Sequence, residues 1–194
     1  MQQKILIISL IVLNIFSCKK KEKNTSDADF KLYNLASAGW KSKTMTHTLS
    51  DIDFKATQVP IQYYILKNAD SKEAAYIDSI YKLHSKERII EFEFKHDSKD
   101  DLLKNKYTKK DYTESVKYMS FKIENDFKVV TQSGDTIPCA GVHFERNFKL
   151  APFKRLLLHF GNIPENENIQ LVYNDNLFKN GLLKYQFKET PIKL

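Results

Sequence analysis

Short segments in which apolar and polar residues alternate constrain the fold of this chain most strongly. In Ile90–Lys95, isoleucine and phenylalanine take every second position and charged residues take the positions between them. Leu183–Lys188 alternates in the same way, with leucine, tyrosine and phenylalanine separated by lysine and glutamine. Successive side chains of a β-strand point to opposite faces of the sheet, so each segment predicts a strand with one buried face and one solvated face. This arrangement is typical of antiparallel sheets.

Other segments add to the predicted sheets. Met119–Glu124 also alternates, which predicts a strand with Met119, Phe121 and Ile123 on one face. Arg155–Phe160 is an almost continuous apolar run, which predicts a central strand covered on both faces. The remaining strand candidates are Thr44–Leu49, Ile52–Leu66 with a break at Pro60, Asp126–Thr131, Gly141–Arg146 and Ile169–Tyr173.

Turn and helix signals lie between these strands. Ser133–Asp135 and Lys179–Gly181 contain glycine beside residues that tolerate positive φ angles, so both predict hairpin turns. Asp70–Glu73 has the spacing of a capping box and predicts the start of a helix that reaches His84. A helix of one or two turns is also predicted to begin at Ser98.

The order of these elements predicts the fold class. Seven to nine strands with short turns and one or two short helices indicate a mainly β fold, namely an antiparallel β-sandwich of the immunoglobulin-like kind. The alternative is a small α+β sheet with one packed helix. Hydrophobic residues make up 42% of the chain, which is enough for a core. No Gly-, Ser- or Pro-rich linker follows, so residues 30–194 are predicted to form a single β-rich domain.

The first 17 residues differ from the rest of the chain. Lys4 is their only charged residue, and Ile5–Phe16 is interrupted only by Ser9 and Asn14. A helix of this length spans roughly 18 Å, which is short of the ~30 Å hydrocarbon core of a bilayer. A charged start, a short apolar stretch and a small residue at the end are typical of a secretory signal peptide, here residues 1–17.

The last residues of this segment are Ile15, Phe16 and Ser17, and Cys18 follows them. This sequence resembles the lipobox of bacterial lipoprotein precursors. The resemblance implies that the signal peptide is removed before Cys18 and that the Cys18 sulfur carries a diacylglycerol. Two or three acyl chains hold a protein on a bilayer far more firmly than one chain does. Contact with the membrane through lipidated Cys18 is therefore expected.

The residues that follow Cys18 predict a tether and a location. Residues 19–29 contain no large apolar side chain, so residues 18–29 are expected to be a flexible, solvated link that extends up to about 36 Å. In the lipoprotein family, Asp directly after the cysteine often marks retention at the inner membrane. Lys19 stands there in this chain. The resemblance thus implies a lipid-anchored protein of the cell envelope, with the outer membrane favoured.

Catalytic and metal-binding motifs are sparse. Phosphate-binding glycine loops, a nucleophile elbow and zinc-protease spacing are absent from the sequence. His143 and Glu145 share one face of a predicted strand, about 6.6 Å apart, and are weak candidates for metal ligands that would need a further histidine. Cys139 is expected to be a small buried side chain rather than a nucleophile. No cofactor is predicted.

Binding of a ligand is the other possibility. Trp40, Tyr63 and Tyr64 lie near predicted strand ends, where binding surfaces of sandwiches usually occur, and are weak candidates for a ligand platform. Nucleic acid is not an expected partner despite the net charge of +7. Of the 31 basic residues 28 are Lys, whereas Arg suits bidentate recognition of bases and phosphates.

Together these features predict a membrane-anchored lipoprotein whose β-sandwich domain is not catalytic and binds a protein, an envelope component or a glycan. The alternative is a lipid-anchored hydrolase or metal-dependent enzyme whose site combines dispersed His and acidic residues.

Overall fold

The structure, a computed structural model, describes residues 43–71, 73–98, 100–146, 153–164 and 166–188. The predicted signal peptide, Cys18, the tether and Trp40 lie outside the described residues. The strands are β1 (Lys43–Leu49), β2 (Ile52–Val59), β3 (Arg88–Lys95), β4 (Phe127–Thr131), β5 (Thr136–Pro138), β6 (Gly141–Glu145), β7 (Phe153–Phe160), β8 (Ile169–Asp175) and β9 (Gly181–Phe187).

These strands form two antiparallel sheets. The five-stranded sheet has the order β1-β2-β3-β7-β6, and the four-stranded sheet has the order β5-β4-β8-β9. The chain passes from the second sheet to the first through Cys139 and Ala140, between β5 and β6. The fold is therefore mainly β and sandwich-like, as predicted.

Short helices connect the strands. They are α1 (Ile61–Asn68), α2 (Ala74–His84), α3 (Asn105–Thr108), α4 (Tyr112–Phe121) and a 3-10 helix (Ile123–Asp126). The pair α1 and α2 links β2 to β3, and the other helices link β3 to β4. The described residues thus contain more helix than the one or two short helices that the sequence predicts.

Aromatic side chains from both sheets form the centre of the core. The ring centroid of Phe92 on β3 lies 5.0 Å from that of Phe127, 5.1 Å from that of Tyr173 and 5.5 Å from that of Tyr185. All four rings are buried. Aromatic pairs at such spacings add to the stability that apolar burial provides. The inward faces predicted for Ile90–Lys95 and Leu183–Lys188 are confirmed. The solvated face predicted for Ile90–Lys95 is only partly right, because Glu93 on that face is 5% exposed.

The prediction for Arg155–Phe160 is only half right. β7 does lie between β3 and β6, inside the five-stranded sheet. However, its side chains alternate between the two faces: Leu156 and Leu158 are buried, whereas Leu157 is half-buried and His159 is exposed. A continuous apolar run fits a strand that is covered on both faces. It fits equally well a strand that is covered on one face and has a partly exposed leucine on the other.

The strand predicted at Met119–Glu124 is wrong, because Met119 and Phe121 belong to α4. The helix has a local cause: the Asp111 side chain accepts a hydrogen bond from the backbone N–H of Glu114, at 2.8 Å. Such an N-cap satisfies one of the free N–H groups at a helix start. Met119 is fully buried and Phe121 is largely exposed, so the apparent strand period comes from a helix with one buried face.

The predicted helix starts also need correction. α2 begins at Ala74, and its N-cap residue Glu73 makes no side-chain capping bond. The helix predicted at Ser98 begins at Asn105 instead, as α3. The strand predicted to continue to Leu66 ends at Val59, and α1 follows Pro60. Proline fixes φ near the helical value and lacks an N–H group, so a helix start tolerates it well.

Both predicted hairpin turns are confirmed. Ser133–Asp135 lies between β4 and β5, and Lys179–Gly181 leads from the turn after β8 into β9, whose first residue is Gly181. Gly134 has a φ of 94° and Gly181 a φ of 84°, in the region that glycine adopts without steric strain.

Candidate functional site

The metal-site candidates His143 and Glu145 both lie on β6 and on the outer face of the five-stranded sheet, which is the face turned away from the core. His143 is exposed. The Glu145 carboxylate instead accepts a hydrogen bond from Arg155 Nη1 at 3.4 Å. Among the residues that the structure describes, no group of three or more His, Cys, Asp or Glu side chains is arranged to hold a metal ion.

Cys139 lies near this strand but is not linked to His143. Its thiol is half-buried and donates to the backbone carbonyl of Gly141 at 3.2 Å. Burial raises the pKa of the Cys139 thiol. A thiol with a raised pKa is a weak nucleophile at neutral pH, which agrees with a structural role.

Tyr63 and Tyr64, the candidates for a ligand platform, lie on α1 rather than on a strand. Their ring centroids are 5.3 Å apart, in an edge contact. The Tyr64 hydroxyl donates to the Glu91 carboxylate at 2.5 Å. Glu91 is on β3 and on the outer face, so this bond fixes α1 against the five-stranded sheet. Burial and the bond to Glu91 raise the pKa of Tyr64 above its ordinary value, so Tyr64 remains a donor.

A row of four alternating charges crosses the outer face beside Tyr64. Strand register places Lys55, Glu93, Arg155 and Glu145 side by side on β2, β3, β7 and β6. Arg155 donates to Glu93 through Nη2 at 2.6 Å and through Nε at 2.9 Å, and Lys55 forms an ion pair with Glu93 from the other side. We call these four residues the charged row.

Glu93 is the most buried member of the charged row, at 5% exposure. Burial alone would raise the pKa of its carboxyl group, but hydrogen bonds and positive charges from Lys55 and Arg155 outweigh burial and lower that pKa. A carboxyl group whose pKa is lowered in the folded state stabilises the fold at pH values above the pKa that the group has in the unfolded chain, which is about 4.3. That contribution is lost as the pH falls through the folded-state pKa.

The Glu93→Gln variant tests this coupling. We expect the variant to be less stable than wild type at pH 7, and the difference in the free energy of unfolding to shrink as the pH falls below about 4.3, the ordinary pKa at which Glu93 of the unfolded chain takes up a proton. Urea unfolding at pH 7, 5, 4 and 3 measures the difference. In the exposed control Glu124→Gln the difference should stay within about 0.5 kcal/mol at each pH. A difference for Glu93→Gln that does not change with pH would contradict the assignment.

A groove between α1 and α2 brings Tyr64 together with residues that the sequence did not indicate. Its volume is about 310 Å³. Apolar and aromatic side chains form most of its lining, and three polar residues complete it. The lining residues are Ile61, Tyr64, Ile65, Ala69, Tyr76 and Ile80, with the polar residues Asn68, Asp70 and His84. We call this feature the helix groove.

The polar residues of the helix groove differ in charge. The His84 ring nitrogen Nδ1 lies 2.7 Å from Glu87 Oε1, so a neighbouring carboxylate already engages this imidazole. Asp70 is exposed and is the one acidic residue among the described residues that line the groove. An apolar site with a few polar groups is the usual form of a site for a small ligand or for a side chain of a partner.

Sequence reasoning found one of these residues, Tyr64, and missed the others. Ile80 and His84 carried a signal, since they lie at helical spacing in the predicted helix. Nothing in the sequence indicated that this helix packs beside Tyr64, because the segment with Tyr64 was predicted to be a strand.

Comparisons with known proteins give little further information. No protein-family model matches the chain, and the search of curated proteins found no match. A crystal structure from Burkholderia pseudomallei, described as a novel protein of unknown function, aligns with 73% of this chain and 77% of its own chain, at 9% identity and a TM-score of 0.35. In the part of the chain that the structure describes, no helix is long and apolar enough to cross a membrane.

Proposed function

We propose that this protein is a lipid-anchored lipoprotein of the cell envelope, attached through Cys18, whose domain is a non-catalytic binding module. The outer membrane is its favoured location. The anchor proposal rests on the resemblance of Ile15–Cys18 to a lipobox. The binding proposal rests on the helix groove, which combines an apolar lining with a few polar side chains.

The chemistry of the groove favours one kind of ligand. Ile61, Ile65 and Ile80 offer contacts to an apolar group, and Asp70 offers a negative charge. A volume of about 310 Å³ accommodates a small ligand or one or two side chains. We therefore propose that the groove binds an apolar side chain with a positive charge close to it, as in a basic peptide segment of a partner protein.

Titration with a matched pair of probes tests this proposal. Phenethylamine and 3-phenylpropionate carry the same ring and linker but opposite charges. We expect phenethylamine to shift backbone amide signals of α1 and α2 in NMR spectra of the full mature chain, and 3-phenylpropionate to bind more weakly. Asp70→Asn should weaken the binding of phenethylamine by about two- to fivefold, the range measured for exposed ion pairs.

Two further variants on α2 locate the site. Ile80→Arg places a positive charge in the groove and should abolish the binding of phenethylamine. Leu83→Arg is the control, because Leu83 lies three residues later, is 81% exposed and does not line the groove. The proposal fails if Leu83→Arg reduces binding as much as Ile80→Arg does, or if both probes bind equally well.

The immunoglobulin-like subclass stays a prediction. Immunoglobulin domains place strands A, B, E and D in one sheet and strands C, F and G in the other. Here three consecutive strands, β1, β2 and β3, are neighbours in one sheet. The two sheets support a sandwich, but this strand order does not by itself support the immunoglobulin connectivity.

A further inference from the structure

A second groove lies on the outer face of the four-stranded sheet and shares no lining residue with the helix groove. Its volume is about 430 Å³. Four of its lining side chains are carboxamides: Gln132, Asn168, Gln170 and Gln186. We call it the amide groove.

The sheet builds the amide groove directly. Strand register pairs Gln170 on β8 with Gln186 on β9, and it pairs Gln170 with Val130 on β4. Next to this row, the backbone N–H of Gln132 donates to the carbonyl of Asn168 at 3.0 Å. Gln170 and Gln186 thus lie on strands, Gln132 directly follows β4 and Asn168 directly precedes β8. The sheet therefore fixes the backbone of all four residues, and the groove is pre-formed.

Hydrogen bonds between the side chains orient the carboxamides in pairs. Asn168 Nδ2 donates to Gln132 Oε1 at 2.8 Å, and Gln170 Nε2 donates to Gln186 Oε1 at 3.2 Å. A carboxamide has two N–H donors and one oxygen acceptor. Each pair uses one donor and one oxygen in its own bond. Within the described part of the chain, these bonds leave three N–H donors and one oxygen of each pair for a ligand.

The remaining lining residues restrict the ligand further. Among the described lining residues, Val130 adds the one aliphatic side chain and Lys188 adds the one ionised group. The Thr131 hydroxyl is already bonded to Ser133 and Asp135 in the turn after β4. One cation in this lining favours a neutral ligand over a strongly acidic one. An extended peptide would need pockets for its side chains, which Val130 alone does not provide. Closely spaced donors and acceptors match hydroxyl groups, because each hydroxyl both donates and accepts.

We propose that the amide groove is a second binding site, and that it binds a neutral glycan through the hydroxyl groups of successive sugar units. This site is independent of the helix groove and does not depend on the function proposed for it. A chain held at the envelope would then contact a glycan with one face and a partner protein with another.

The test uses the full mature chain in dodecylphosphocholine micelles, because detergents with sugar head groups would compete for the site. The probes are cellotetraose and chitotetraose as neutral glycans, tetragalacturonate as an acidic glycan and Ala-Gly-Ala-Gly-Ala-Gly as a peptide. NMR titration follows the side-chain NH₂ signals of the four carboxamides. We expect at least one neutral tetrasaccharide to shift these signals and the acidic glycan and the peptide to leave them unchanged.

A matched pair of variants on β8 completes the test. Gln170→Val removes a central carboxamide together with its hydrogen bonds to the ligand, and is expected to weaken glycan binding about tenfold or more. Asn174→Val is the control, because Asn174 lies on the same strand and face but outside the groove. The proposal is overturned if neither neutral tetrasaccharide shifts these signals at 10 mM, about the highest concentration at which such weak binding is informative. Shifts of equal size with the acidic glycan or the peptide would also overturn it. So would equal glycan binding by the Gln170→Val and Asn174→Val variants.

Discussion

Replacing Asp175 with alanine is expected to lower the free energy of unfolding by about 3 kcal/mol or more. Asp175 ends β8, is 2% exposed and accepts five hydrogen bonds. The donors are the Tyr173 hydroxyl at 2.8 Å, the backbone N–H groups of Leu177, Phe178 and Asn180 at 2.9 to 3.2 Å, and Asn180 Nδ2 at 2.9 Å. This one carboxylate therefore satisfies three backbone groups of the turn between β8 and β9.

Alanine leaves these donors without an acceptor inside the protein. An unsatisfied buried donor costs about 1 to 3 kcal/mol, and several are affected at once. Urea unfolding of Asp175→Ala measures the loss. Asn174→Ala changes the exposed neighbour on the same strand and should stay within about 0.5 kcal/mol of wild type. Equal stability of Asp175→Ala and wild type would show that water replaces the carboxylate at this turn.

The sheets were the most predictable part of the fold. In Ile90–Lys95 and Leu183–Lys188 the polar residues are charged or carry amides, so the period of two is unambiguous and gives the buried face directly. The turn at Lys179–Gly181 was predictable from Gly181, which has a positive φ. The second positive φ falls on Lys179 and not on Asn180, the residue type that tolerates it better.

The helices were less predictable because short segments fit both periods. Met119, Phe121 and Ile123 alternate over only five residues, and the decisive cap at Asp111 lies eight residues before Met119. α1 follows a strand directly after Pro60, so the sequence offers no polar boundary between the two elements.

The candidate sites depend on contacts that no local pattern shows. Tyr64 lines the helix groove because its hydroxyl meets Glu91, which is 27 residues away. In the amide groove, Gln170 meets Gln186 through the register of β8 and β9. The alternation of each strand predicts that these glutamines face solvent, but only the pairing of the strands shows that they form one surface.

The second large effect is expected at the anchor. If Cys18 carries the lipid, Cys18→Ala leaves no sulfur for the diacylglycerol, and the variant should incorporate no acyl chain. Growth of bacteria that express the full chain with an alkyne analogue of palmitate, followed by fluorescent coupling, measures this directly. We expect a labelled band for wild type and no label above background for Cys18→Ala.

The second cysteine of the chain provides the matched control. Cys139 is a half-buried thiol of the domain, hydrogen-bonded to backbone carbonyls. Cys139→Ala should therefore be labelled as strongly as wild type. Label that persists in Cys18→Ala and disappears in Cys139→Ala would show that Cys139 is acylated, and would contradict the assignment of the lipid to Cys18.

The intact mass of the wild-type chain, extracted from the membranes of such cells, tests the anchored function most directly. We expect a mature chain that begins at Cys18 and is heavier than residues 18–194 by the mass of a diacylglyceryl group, with or without a further acyl chain. A chain without lipid, or one that begins at any other residue, would contradict it.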